Sequence, residues 1–219
     1  MEAPVWGIIK KDMIYYLFYF VVGVVFPLFG IWQDGLDRGG VVFMGMCLAM
    51  TVLFSMFLNE LMEEKSRGYE FLRSLPLTPS WIVGAKFILP AVFAGGYMAI
   101  AGAVLWLNEA SSAFRITGFL YLLAMALLCL LLVGMFFLAL YRLGFTRLYR
   151  STVLTVSFLI MLGPVLALLL LGDMLAAWQD VDWQRLTTVP VLVSTALIGL
   201  SGYAMLYRAA GRALRRREE

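Results

Sequence analysis

The polar groups most informative about chemistry in this sequence lie in one stretch, Asn59 to Lys86, which reads NELMEEKSRGYEFLRSLPLTPSWIVGAK. It sets Glu60, Glu63, Glu64 and Glu70 among Lys65, Arg67, Arg73 and Lys86. The sequence contains no histidine, which removes His-based zinc sites, His-ligated haem and the side chain most used in general acid–base catalysis. No GxxxxGK[ST] run occurs, so the chain does not itself cradle a nucleotide phosphate in a P-loop. A second polar stretch, DGLDRGG with Asp34, Asp37 and Arg38, lacks the further acidic residues that a metal-dependent lipid-headgroup enzyme needs. Cys47 and Cys129 fall inside long apolar runs, where a free thiol behaves as a small apolar side chain. These residues assign no catalytic, cofactor-binding or metal-binding site, and the chain reads as a non-enzyme.

The elements that must position these groups are apolar to a degree that no soluble core of this size can hide: 63% of the 219 residues are hydrophobic and 14% charged, with a mean hydropathy of +0.90. Uncharged runs extend over roughly 13–33, 41–59, 81–107, 116–141, 151–172 and 189–207. At 1.5 Å per residue, about 20 residues cross a hydrocarbon layer ~30 Å thick. The expectation is therefore an all-α integral membrane protein with six transmembrane helices in a single domain over 1–219. No alternating segments of barrel type occur, and an open sheet edge in lipid would leave backbone groups unpaired. The first run is too long for the apolar core of a cleaved signal peptide and no small-residue cleavage site follows it. Pro27, Pro90 and Pro164 fall inside spans, where kinks are expected. Lys86 alone is charged within a span, close enough to its start for the side chain to reach the headgroups. No carboxylate of ion-relay type is expected inside a span.

Lys and Arg accumulate on the cytoplasmic side of membrane proteins. With the amino terminus inside, that side receives fourteen of the 17 basic residues, and the outside only Arg38, Arg115 and Arg185. Both termini are thus expected in the cytoplasm. Trp32, Trp106, Trp178 and Trp183 then form an outer aromatic belt, with Trp6 and Trp81 near the inner face. The net charge of +3 is what topology alone requires and points to no nucleic acid. The carboxy-terminal RAAGRALRRREE is expected to continue the last helix and meet anionic lipid.

The Asn59–Lys86 stretch divides into parts. Helix two can run on from Glu60 to Arg67, with Glu63 and Arg67 paired at i, i+4. Gly68 interrupts it. A short helix over Tyr69 to Ser74 would place Phe71, Leu72 and Leu75 on one apolar stripe, with Glu70 and Arg73 turned away. Pro76 stops it, and Thr78 with Pro79 forms an N-cap and first helical residue for the next span. On geometry alone this short helix could equally be a surface anchor.

This pattern resembles the segment joining the second and third spans of ABC-2 type permeases, whose members share an E…G…LxSLPLxxxxIVxxK arrangement. The matching positions are Glu60 or Glu64, Gly68, Leu72, Ser74, Leu75, Pro76, Leu77, Ile82, Val83 and Lys86. The resemblance extends to six spans in a chain of this length and an amphipathic leading segment, Met1 to Asp12. It implies a coupling helix at Gly68, Tyr69, Glu70, Phe71, Leu72, Arg73 and Ser74, docking in a groove of a separate ATPase subunit. It further implies two permease chains, as a homo- or heterodimer, and two ATPase chains. ATP and Mg would be bound by the ATPase, with no cofactor in this chain. The location implied is the bacterial cytoplasmic membrane, and the subgroup most resembled exports amphipathic peptides or antibiotics. The connection from Asp173 to Thr188 is too short for the two re-entrant outer helices of larger exporters of this class.

Spans without buried charge disfavour a small ionic cargo and fit an apolar or amphipathic one. The aromatic run Tyr15, Tyr16, Phe18, Tyr19 and Phe20 reads mainly as packing or lipid-facing, and Gly95, Ala99 and Ala103 as a close helix-packing stripe. The alternatives are a non-transporting assembly or immunity protein and an ATP-independent carrier. The charge distribution makes the topology testable. Single cysteines at Asp37, Glu109 and Asp180 should react with an impermeant thiol reagent in intact cells, and those at Ser66 and Thr146 should not. Labelling of Ser66→Cys from outside would overturn the six-span arrangement.

Overall fold

The structure is a computed structural model that describes residues 3–34, 36–65, 79–107, 112–143 and 189–218. Every regular element among the described residues is helical. Helix α1 spans Ala3–Asp34, α2 Arg38–Ala49, α3 Ser55–Lys65, α4 Pro79–Leu107, α5 Ser112–Leu143 and α6 Val189–Glu218. A π-helical turn, Met50–Phe54, joins α2 and α3 into one rod. Four stretches are long and apolar enough to cross a membrane: Asp12–Ile31, Gly39–Glu63, Trp81–Leu107 and Phe114–Arg142. The expected fifth span at 151–172, Pro164, the connection with Trp178 and Trp183, and the coupling segment Gly68 to Ser74 lie outside the described residues.

Two helix starts are fixed by the structure. The described part of the leading segment is continuous with the first span, the helix running from Ala3 to Asp34 without a break and carrying Pro27 inside it. The second rod begins at Arg38, where the Asp37 carboxylate accepts from the Gly40 N–H at 2.7 Å and so caps an otherwise unpaired donor.

Contacts along the helices fix their directions. Tyr16 and Phe20 both meet Phe93, with ring centroids 5.4 Å apart in each case, and Phe20 also meets Gly96, so α1 and α4 run parallel. Tyr19 meets Phe54 at 5.3 Å while Gly23 lies against Thr51, which makes the α2–α3 rod antiparallel to α1. Gly118 lies against Val41, and Gly45 against Tyr121, placing α5 parallel to the rod. Gly199 against Leu127 and Gly134 against Tyr203 and Leu206 place α6 parallel to α5. Helices α1 and α4 thus run one way and the others the opposite way. Leu143 and Val189, which bound the longest connection, therefore lie at opposite ends of the bundle.

The inward face of α4 presents Phe93, Ala94, Tyr97, Ala101 and Leu105, all buried. Gly95, Ala99 and Ala103 occupy the other side and are exposed, so the expected packing stripe meets no partner among the described residues. The close approaches are made by Gly96 and Gly102 instead, against Phe20 and Phe119. On α1, Ile14, Leu17, Phe18, Val21, Val25, Leu28 and Phe29 recur at helical spacing and are exposed, an apolar face turned outward as lipid requires. Of the aromatic run, Phe18 belongs to that face, while Tyr16 and Phe20 pack against Phe93 and Tyr19 against Phe54. Trp81 and Trp106 are exposed near opposite ends of α4, ~38 Å apart at 1.5 Å per residue, a separation suited to the two interfaces of a bilayer.

A Cβ at Gly23 would collide with the Thr51 hydroxyl and stand 3.2 Å from the Cys47 carbonyl, so only glycine allows α1 this close to the π-helical turn. The Thr51 hydroxyl is shared between the carbonyls of Cys47, at 2.8 Å, and Tyr19 of α1, at 3.3 Å, while Ser55 donates to the Thr51 carbonyl. These hydroxyls supply donors where the regular i→i−4 ladder is interrupted.

Candidate functional site: a buried ion cluster

Thr51, Ser55, Asn59 and Glu63 follow one another every four residues along the rod, and all four are buried. Such spacing keeps polar groups on one helix face. Glu60 is buried beside that stripe. In the outward-apolar surroundings of a membrane helix the polar face must turn inward and find partners.

The partner is Lys86, from the first turns of α4. Its Nζ stands 2.8 Å from Glu60 Oε1, 2.9 Å from Glu63 Oε1 and 3.1 Å from Asp12 Oδ2. The three hydrogens of one ammonium thus face three carboxylates. Lys86 is 2% exposed, and Asp12 and Glu60 are wholly buried. Tyr16 of α1 and Tyr141 of α5 stand within electrostatic reach of the group. Pro90 leaves the Lys86 carbonyl without its helical N–H donor, and in the same turn Tyr203 of α6 donates to the Phe87 carbonyl at 2.7 Å.

This overturns two expectations. Lys86 does not reach out to the headgroups, and buried carboxylates do occur at the ends of the spans, because the second helix extends past Asn59 through Lys65 and keeps Glu60 and Glu63 turned inward. Of the two glutamates that fit the loop pattern, Glu60 binds Lys86; the side chain of Glu64 lies outside the described residues, as does Arg67, the expected partner of Glu63. Asp12, at the end of the leading segment, is a member that sequence reasoning misses. The four-residue polar stripe is the available signal, hidden when the span is ended at its first charge.

Each pair at these distances attracts by ~5 kcal/mol at an effective dielectric of ~20. Removing each ion from water costs several kcal/mol, and the carboxylates repel one another, so the net contribution to stability is small. What the cluster contributes is register. Only one alignment of α1, α3 and α4 brings the three carboxylates to the one ammonium. Glu60 and Glu63 lie just before residues 66–78, and Lys86 shortly after them, so the cluster closes both ends of that connection onto α1.

Among the described residues no group of His, Cys, Asp or Glu is suited to hold a metal ion, and Cys47 and Cys129 are free thiols. Long helices with apolar outer faces, polar groups turned inward and aromatic residues at both ends define a multi-pass helical membrane protein. The chain belongs to the ABC-2 family of transporter proteins, whose family model matches residues 7–206, and its role is that of a membrane permease component. Comparison with curated proteins and with solved structures gives no match.

The cluster makes Lys86 indispensable in a way that a headgroup-directed lysine would not be. Lys86→Met should destabilise the protein by about 3–5 kcal/mol, because it strands buried carboxylates. Thermal unfolding of the detergent-purified variant should show this loss, and adding Glu60→Gln should recover part of it. A Lys86→Met protein as stable as the wild type would show that the ammonium is not held as described.

Proposed function

We propose that this chain is the permease subunit of an ABC exporter that moves an apolar or amphipathic cargo, such as a peptide, antibiotic or lipid-like molecule, out of the cytoplasm, powered by separate ATPase subunits. The observation that carries the reading is the position of the ion cluster. It ties the two helices bracketing residues 66–78 to each other and to α1, so a displacement imposed on that connection is delivered to three helices together. In this reading Gly68 to Ser74 form the coupling helix and contact the ATPase, which binds ATP and Mg.

The six-span arrangement with both termini in the cytoplasm is supported by the helix directions. Leu143 and Val189 lie at opposite ends of the bundle, as they must if 151–172 supplies one more crossing. A second permease chain, identical or related, completes the transporter. It is supported by the crevice between α1, α2 and α4, lined by Val24, Pro27, Ile31, Met44 and Tyr97, whose volume of only about 10 Å³ is no more than one water requires and too small for any such cargo. In this reading the cargo path runs between chains.

The test is copurification of the tagged chain with the ATPase expressed beside it. Apolar anchors at the centre of an interface commonly contribute 2 kcal/mol or more, so Phe71→Ala with Leu72→Ala should weaken association at least ~30-fold. Phe114→Ala, near the opposite end of the bundle, should leave it unchanged. Full association and full stimulated ATP hydrolysis in the double variant would remove the coupling assignment.

A further inference from the structure

Parallel packing brings the ends of α5 and α6 together at the same end of the bundle as the ion cluster. There Tyr141 and Arg142 of α5 and Ala209, Arg212, Ala213 and Arg216 of α6 line a cavity of about 380 Å³. The spacing on α6 explains the space. Ala210 and Leu214 are buried in the core, while 209, 212, 213 and 216 fall on the adjoining face, where two alanines leave room and two arginines stand one turn apart. Three arginines from two helices therefore line one cavity. Its size is at the lower end of the ~300–1,000 Å³ usual for small-ligand sites.

The height of the cavity relative to lipid is set by α6 itself. Leu197, Ile198, Leu200 and Met205 are exposed large apolar residues, and none occurs beyond Tyr207 among the described residues. Arg212 lies ~10 Å further along the axis than Met205, and headgroups extend ~5–8 Å beyond the hydrocarbon on each side. The arginines can thus reach back to the level of the lipid phosphates, where basic clefts between helices bind headgroups. Guanidinium groups match phosphate oxygens in forked, charge-assisted hydrogen bonds.

We propose that the cavity between Arg142, Arg212 and Arg216 is a binding site for the phosphate of an anionic lipid headgroup. This needs only a membrane location and is independent of the exporter reading. It also differs from diffuse attraction of the basic tail to the bilayer, because Arg208 and Arg215 are exposed on the same helix and do not line the cavity. Tyr141 lines the cavity, is itself buried, stacks on Phe137 at 6.2 Å and stands within electrostatic reach of the ion cluster. A bound headgroup would therefore lie beside a side chain that borders the surroundings of both sites.

Lipid retention by the purified protein in neutral detergent, where no charged bilayer surface exists, tests this by native mass spectrometry. Phosphatidylglycerol should be retained about tenfold or more over phosphatidylcholine. Arg212→Gln with Arg216→Gln should abolish that preference, as should Arg142→Gln from the other helix. Ala209→Leu, which keeps every charge but fills the cavity, should also reduce it. Arg208→Gln with Arg215→Gln should change it by less than about twofold. Equal loss in this control pair would show diffuse charge and no site. Competition by inorganic phosphate at concentrations comparable to the lipid would assign the cavity to a soluble anion and overturn the lipid proposal. So would loss of the copurifying ATPase in the Arg212/Arg216 variant with lipid retention unchanged.

Discussion

A lysine ammonium taken out of water must meet opposite charge, and in this protein Lys86 meets it on two other helices at once. That requirement governs one end of the bundle. Apolar side chains pack α1, the α2–α3 rod and α4 with no intrinsic preference for one register over another a turn away. Lipid offers no hydrophobic penalty for exposing them either, since lipid tails are as apolar as leucine. Charge removes the ambiguity. A shift of one turn, ~5 Å, would leave carboxylates without the ammonium in a medium that does not solvate them. At the other end of the bundle the same role falls to close packing, with Gly45 against Tyr121 and Gly118 against Leu105 and Val41.

Between these ends the rod departs from regular helix at Met50–Phe54, and the departure coincides with its closest approach to α1 at Gly23. A π-helical turn adds a residue to the turn and rotates the downstream helix about its axis. It therefore helps set which face of α3 carries Glu60 and Glu63 toward Lys86. Thr51 serves this arrangement twice, through its place in the turn and through its shared hydroxyl bond to α1. The ion cluster and the π-helical turn are parts of one alignment, reached from different ends of the same rod.

Much of the fold is legible in the sequence because the bilayer imposes a length. Uncharged runs at 13–33, 81–107 and 116–141 predict helices within a few residues of Asp12–Ile31, Trp81–Leu107 and Phe114–Arg142. The second run ends too early at Asn59 when a charge is equated with the edge of the membrane, whereas Glu60 and Glu63 continue the helix inward-facing. The expectation for Lys86 fails for a related reason. A lone lysine near a span end has water within reach, and only the three-dimensional neighbourhood shows three carboxylates nearer still. Asp12 is illegible as a partner because nothing in a linear sequence places it beside a residue from the third span. The stripe Gly95, Ala99 and Ala103 shows the converse limit. Spacing identifies a flat helix face but not which side of the bundle it occupies.

Membership of the ABC-2 family gives this alignment its functional meaning, because a permease must convert events at its surface into movement of its helices. The claim on which the account rests is that α1 and α4 are joined by charge, and Asp12 with Lys86 is the pair most remote in sequence. A double-mutant cycle between Asp12→Asn and Lys86→Met, read as unfolding free energy in a fixed detergent, measures that joint directly. The account predicts a coupling above about 1 kcal/mol between the two positions; effects that add to within about 0.5 kcal/mol would contradict it.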